Sequence, residues 1–203
     1  MMQLTASEAS PFVRKVRLTA ALKGLEREIE LVTADTDAAK NAAMRAKNPL
    51  GKIPVLILDD GTVVYDSHVI CEYLDSLRPE PKLFPAGGRE RLKALTLGAL
   101  SDGIAEAGIL IVYEKRFRPE DKYVQSWIDR QQAKIDAGLD HLERDPPAWT
   151  GHPNYGHIAL AAALGHLDLR HAGKWRERRP KLVAWLVEFA AAVPAFNTTR
   201  PQG

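Results

Sequence analysis

A single cysteine, Cys71, in 203 residues rules out an intrachain disulfide and a cysteine-rich metal site. It sits beside Ile70 and Tyr73 with no second cysteine at CxxC spacing, which marks a buried structural thiol rather than a redox pair. The six histidines form no His-Glu-x-x-His arrangement, so no metal is expected. Gly-x-Gly-x-x-Gly and phosphate-loop patterns are also missing, and with them the signal for a nucleotide cofactor. Charge of one sign is in short supply: the formal net charge is +2, which predicts no strong pull toward nucleic acid or membrane. A basic cluster from Arg170 to Lys181 has no interleaved aromatic platform for bases and reads as a solvated helix end. Met1 to Ser10 has no long apolar core of a signal peptide. No uninterrupted apolar run approaches the ~20 residues of a membrane helix, and a cytoplasmic location is expected by default.

What is present is ordinary globular material, with 45% hydrophobic and 27% charged residues. The first eighty residues alternate short apolar runs with helical patterns. Met2–Ala6 and Glu28–Thr33 read as strands, the second with alternating Ile29, Leu31 and Thr33. Between them Ser10 is a good N-cap, Pro11 suits the first helical turn, and Gly24 is placed to stop the helix. A second helical stretch spans Thr36 to Ala46. Val55–Leu58 and Thr62–Tyr65 flank Asp59-Asp60-Gly61, a hairpin signal. Ser67 is expected to cap a helix that presents Val69, Ile70, Tyr73, Leu74 and Leu77 on one face.

A linker rich in proline and glycine follows, and beyond it nearly everything reads as helix. The expected helices are Arg89 to Arg116, Glu120 to Glu143, Asn154 to Leu169, and one opening at Arg179-Pro180. The Asn154 helix is almost wholly small and apolar, as suits the centre of a bundle. The expected architecture is an α+β domain over residues 1–78, a linker over 79–88 and an all-helical domain over 89–203.

Three motifs within this pattern resemble those of bacterial glutathione transferases: Ser10-Pro11-Phe12-Val13-Arg14-Lys15, Asn48-Pro49-Leu50-Gly51-Lys52-Ile53-Pro54-Val55-Leu56, and Tyr65-Asp66-Ser67 before a helix. The resemblance covers the whole chain, the C-terminal half by pattern rather than by sharp motif. It implies a thioredoxin-like N-terminal domain, an all-α C-terminal domain, glutathione as co-substrate in the cleft between them, a small electrophile as partner, and a homodimer.

The resemblance also implies roles for particular residues. Ile53-Pro54 would be a cis peptide, against the about 5–6% base rate for X-Pro bonds, with the Ile53 main chain pairing with the ligand's cysteinyl residue like an added strand. The helix start at Asp66-Ser67 suits the γ-glutamyl carboxylate, while Asp66 pairs with its ammonium; the plainer alternative is a helix cap alone. Ser10 would be the catalytic residue, donating a hydrogen bond to the glutathione thiolate. Ser7 is the competing donor, and simple capping is the structural alternative for Ser10. Phe12 and Arg14 would lie near the cleft mouth. Lys40 is a candidate for the glycyl carboxylate or a solvated charge, and Tyr113 and Phe117 are candidates for the wall of the electrophile pocket or for the core. Many relatives open the buried C-terminal helix with Ser/Thr-x-x-Asp, whereas here His157 occupies the place of the acid.

A glutathione-dependent reductase or peroxidase, and a non-catalytic binding or regulatory protein, are the competing functions on the same scaffold. The absence of cysteine at position 10 weighs against the first; the retention of all three motifs weighs against the second.

Overall fold

Strand β1 (Met2–Ala6), helix α1 (Pro11–Leu22) and strand β2 (Ile29–Thr33) form the expected β-α-β unit. The computed structural model describes residues 1–34, 42–149 and 151–201. Ser10 caps α1, Pro11 occupies its first turn, and Gly24 leaves it in the left-handed region at φ +65°, where a side chain would be strained. β1 and β2 pair in parallel from Met2↔Ile29 to Ala6↔Thr33. Helix α2 (Ala42–Lys47) falls at the end of the second expected helical stretch. β3 (Val55–Ile57) then pairs antiparallel with β1, and β4 (Val63–Val64) pairs antiparallel with β3. The mixed sheet has the order β2-β1-β3-β4.

As an edge strand, β2 does not use the expected alternation: Leu31 is 50% exposed, and Ile29 and Val32 are half-buried. Helix α3 (Ser67–Ser76) corrects two further expectations. Its N-cap is Asp66, whose side chain accepts from the His68 N–H at 3.0 Å, so Ser67 is its first helical residue rather than its cap. Its buried face runs through Ile70, Cys71, Leu74 and Asp75, with Val69 outside. Asp75 ties down the segment that follows. It accepts from Lys23 at 3.0 Å and from the main-chain N–H groups of Leu83 and Phe84. Those bonds hold its carboxyl below the usual carboxylate range, although burial pushes the other way.

The C-terminal half comprises α4 (Gly88–Phe117), α5 (Gln125–Arg144), α6 (Tyr155–Arg170), α7 (Pro180–Ala192) and the short α8 (Ala195–Thr198). α5 starts five residues later than expected, because Glu120–Lys122 forms a separate 3-10 turn. α6 is the buried centre, enclosed from Tyr155 to Leu167. It approaches α4 closely because Gly98 makes room for the Tyr155 ring and Gly156 faces the Ala94 carbonyl. By length and composition α4 is apolar enough to cross a membrane, with a mean hydropathy of 1.6 over one window. Here it is a bundle helix that buries Ala94, Ile104, Ala105 and Ile111.

The cap of α6 is completed in an unexpected way. Asn154 accepts from the Gly156 and His157 N–H groups, and His157 Nδ1 accepts from the Asn154 N–H at 3.0 Å. A neutral imidazole thus does the work of the usual acid in a reciprocal cap. Burial pushes the His157 imidazole down to about 4.

Candidate functional site

The sheet register brings the three sequence motifs to one edge. Thr5 pairs with Val55, so the chain leaving β1 toward Ser10 lies beside Ile53-Pro54 at the start of β3. Leu56 pairs with Val64, so Tyr65-Asp66-Ser67 leaves β4 on that same side. Adjacent strands lie ~4.8 Å apart, which packs segments more than forty residues apart in sequence into one short row. The Ile53-Pro54 peptide is cis, and so is Tyr65-Asp66. Ile53 is half-buried and lies outside the ladder, whose pairs begin at Val55.

Ser10 occupies the helix start on this row. Its main-chain N–H donates to Ser7 O at 3.0 Å, and its Oγ accepts from the Val13 N–H at 3.3 Å. Capping therefore uses a lone pair of Oγ and leaves the hydroxyl proton available; no acceptor among the described residues takes it. No acidic residue lies in the first turn of α1, so the positive end of the helix is unneutralised there. Ser7, the competing donor, lines a hollow with Thr33 and Ala34 on the β2 side of β1.

Behind Ser10, α1 is anchored to the helical half by charges. Lys15 is 1% exposed and donates to both oxygens of Asp102 on α4 at 2.7 Å and to the Tyr155 hydroxyl at 3.1 Å. The start of α3 is held by rings instead. His68 meets Tyr155 edge-on at 4.9 Å, and Tyr155 stacks on Phe84 at 4.4 Å. Both helix starts on the row thus rest, directly or through Lys15, on Tyr155.

Known proteins match this chain over both halves. Residues 9–77 match the glutathione S-transferase N-terminal domain and residues 125–187 the glutathione S-transferase C-terminal domain. An uncharacterized GST-like protein of Escherichia coli, YibF, is 36% identical over 98% of each chain. The chain belongs to the glutathione transferase family. A glutathione transferase family member from Pseudomonas fluorescens Pf-5, solved with bound glutathione, superposes with a TM-score of 0.94 at 39% identity over the whole of both chains. A second structure of a family member from that organism, with bound S-(propanoic acid)-glutathione, gives 0.90 at 38%, again over the whole of both chains.

Within this family member the remaining candidates are scattered. Phe12 is half-buried, its ring centroid 5.7 Å from Lys15 Nζ. Arg14 is not at a cleft mouth: it is 4% exposed, donates to the Phe196 carbonyl at 2.6 Å and stacks on that ring. Tyr113 and Phe117 are an exposed ring pair 5.2 Å apart near the end of α4, 46% and 58% exposed. Lys40 lies outside the described residues. Cys71 is buried, and burial pushes its thiol up to about 11. Among the described residues no cluster of three His, Cys, Asp or Glu side chains is arranged to hold a metal ion.

Sequence reasoning missed the cluster of Lys15, Asp102 and Tyr155. Lys15 stands inside the first motif, between Val13 and Val16 on the buried face of α1. A charge at such a position signals a buried partner, but its partner lies 87 residues away.

Proposed function

We propose that this chain binds glutathione along the edge formed by Ser10, Ile53-Pro54 and Asp66-Ser67, and stabilises its sulfur as a thiolate for attack on small electrophiles. The observation that carries this reading is the convergence of the three segments on one sheet edge, with the hydroxyl proton of Ser10 unspent at an unneutralised helix start. Ser10 donates to the thiolate, and the positive end of α1 adds to the effect. A free thiol near ~8.5 is only a few per cent ionised at neutral pH. Lowering it by about two units takes roughly 2.7 kcal/mol of preferential stabilisation of the anion. A serine hydroxyl is too weak an acid to be the base, so it acts as a donor.

The Ile53 main chain, outside the ladder, pairs with the cysteinyl residue of the tripeptide. Asp66 receives the γ-glutamyl ammonium, while the first turn of α3 with Ser67 receives the carboxylate. Phe12 and Lys40 complete the glutathione contacts, and Tyr113 and Phe117 edge the electrophile pocket. Residues 1–78 form the glutathione-binding domain, 79–88 the linker and 89–203 the domain that contributes that pocket. The P. fluorescens complexes support this assignment, and the S-substituted ligand in one of them supports a site that tolerates a group on the sulfur. Exposed Val63 on β4, Tyr65 just after it, Val69 on α3 and Leu92 on α4 support a homodimer.

Calorimetric titration with glutathione, paired with turnover of a chromogenic electrophile, tests the reading. Wild type and Ser10→Ala should bind glutathione within about threefold of each other, whereas kcat should fall at least about tenfold in the variant, a loss of about 1.4 kcal/mol of transition-state stabilisation. Absence of glutathione binding to the wild type contradicts the reading outright. Reductase or peroxidase chemistry through a protein thiol has no support here, since position 10 is serine and the only cysteine is enclosed.

A further inference from the structure

Arg14 points away from the glutathione edge into a hollow of about 520 Å³ between α1, α6, α7 and α8. None of the residues assigned above to glutathione or to the electrophile lines it. The arginine is built in rather than draped on the surface. A Cβ at Gly165 would collide with its guanidinium, so α6 carries glycine where α1 inserts this side chain. One terminal nitrogen is used by the Phe196 carbonyl, and its Nε has no hydrogen-bond partner among the described residues.

Among the described residues no carboxylate is hydrogen-bonded to Arg14. Asp168 also lines the hollow, but it is already engaged. It accepts from Arg176 Nε at 2.8 Å, Arg176 Nη2 at 2.6 Å and Trp175 Nε1 at 2.8 Å. That pair is neutral as a unit, which leaves Arg14 and Arg200 as the excess positive charge of the lining. Burial, and then the proximity of Arg200 and Arg17, pull the Arg14 guanidinium down to about 10, with Asp168 acting more weakly in the opposite direction. An enclosed cation with no carboxylate of its own among the described residues is costly, and a bound anion would relieve it. Asn197 adds one more polar group, and Leu169, Leu186, Val187, Ala190 and Phe196 form an apolar part of the wall. A small inorganic anion would leave that wall unused.

We propose that this hollow is a second ligand site, separate from the glutathione edge, for an organic carboxylate with an apolar body. The carboxylate lies between Arg14 and Arg200, with the body against Val187 and Phe196. The volume suits a small organic molecule, and the pairing of a few convergent polar groups with an apolar wall is the usual make-up of such pockets. Guanidinium and carboxylate match in charge and in fork geometry.

Benzoate is the probe, titrated calorimetrically into the full-length wild-type chain with and without saturating glutathione. Because Arg14 is buried, the variants are placed at the rim: Arg200→Gln removes one cation, and Val187→Glu adds a carboxylate to a position that is 63% exposed. Wild type should show one saturable site, weakened about tenfold or more in each variant, with glutathione affinity unchanged throughout. Loss of benzoate binding in the presence of glutathione overturns the separateness of the site. No saturable binding to wild type, or binding insensitive to both variants, overturns the site itself. Inorganic phosphate binding more tightly than benzoate overturns the apolar-bodied ligand.

Discussion

Lys15 on α1 and Asp102 on α4 are joined by two hydrogen bonds of 2.7 Å, with the lysine fully enclosed and the aspartate side chain 30% exposed. The asymmetry matters more than the pairing. Asp102 can turn to water if its partner is lost, whereas Lys15 cannot.

Asp102→Asn should therefore destabilise the chain more than Lys15→Met. The first leaves an enclosed ammonium with neutral acceptors alone, one amide oxygen and the Tyr155 hydroxyl, a change of about 2–4 kcal/mol by analogy with broken buried pairs. The second removes the buried charge and leaves a carboxylate that reaches solvent, for about 1 kcal/mol. Urea midpoints of the two variants check the order; equal midpoints would mean that Lys15 finds another partner or reaches water.

Acid should weaken the fold before the carboxylates titrate. His157 and His166 are both buried, and burial is the main reason that each imidazole is pushed down to about 4 from 6.5. Neither nitrogen of His166 makes a hydrogen bond of good geometry among the described residues, and the nearby Ala9 main chain offsets only part of the effect of burial. Because the folded values are depressed, the unfolded chain binds protons first, so stability is lost as pH falls from 6.5 toward 4. Each histidine contributes about 2 kcal/mol of loss between pH 7 and pH 5. His157→Gln keeps an acceptor for the Asn154 N–H and removes one titrating group. Its urea midpoint should fall less steeply over that range than that of the wild type; parallel slopes would contradict the assignment of His157.

Cys71 should be silent in the native state. Its thiol is enclosed, accepts from the Thr19 hydroxyl at 3.3 Å and is pushed up to about 11 by burial, so almost no thiolate is exposed at pH 8. A chromogenic disulfide reagent should react stoichiometrically in denaturant and negligibly without it. Rapid labelling of the folded chain would place this cysteine at a reactive site after all.

Where the sequence signal was local, it located elements closely. The run from Ser10-Pro11 to Gly24 bounds α1, because cap, ring and left-handed glycine each act on their own residue. The hairpin at Asp59-Asp60-Gly61 is equally local: Asp60 accepts from the Thr62 N–H, and Gly61 sits at φ +86°. Adjacent cap-capable residues are harder, since Asp66 and Ser67 are both suited and only the direction of the chain leaving β4 chooses Asp66. Polarity also misleads where burial depends on distant partners. Arg14, Lys15, Lys23 and Arg179 are all buried, and each bonds to a group at least 39 residues away. His157 was legible as a departure from the usual cap but not as its replacement, because the role depends on which ring nitrogen faces the Asn154 N–H. For the candidate site, the three motifs could be read one by one, whereas their convergence follows from the pairings Thr5↔Val55 and Leu56↔Val64, which no single motif encodes.

The direct measurement of the central claim is the ultraviolet absorbance of the glutathione thiolate bound to the protein, followed against pH in wild type and in Ser10→Ala. The thiol should ionise about two units below its ordinary ~8.5 on the wild-type protein and move back upward by at least about one unit in the variant. A bound thiol that titrates at its ordinary value in the wild type, or one equally depressed without the Ser10 hydroxyl, would contradict the account.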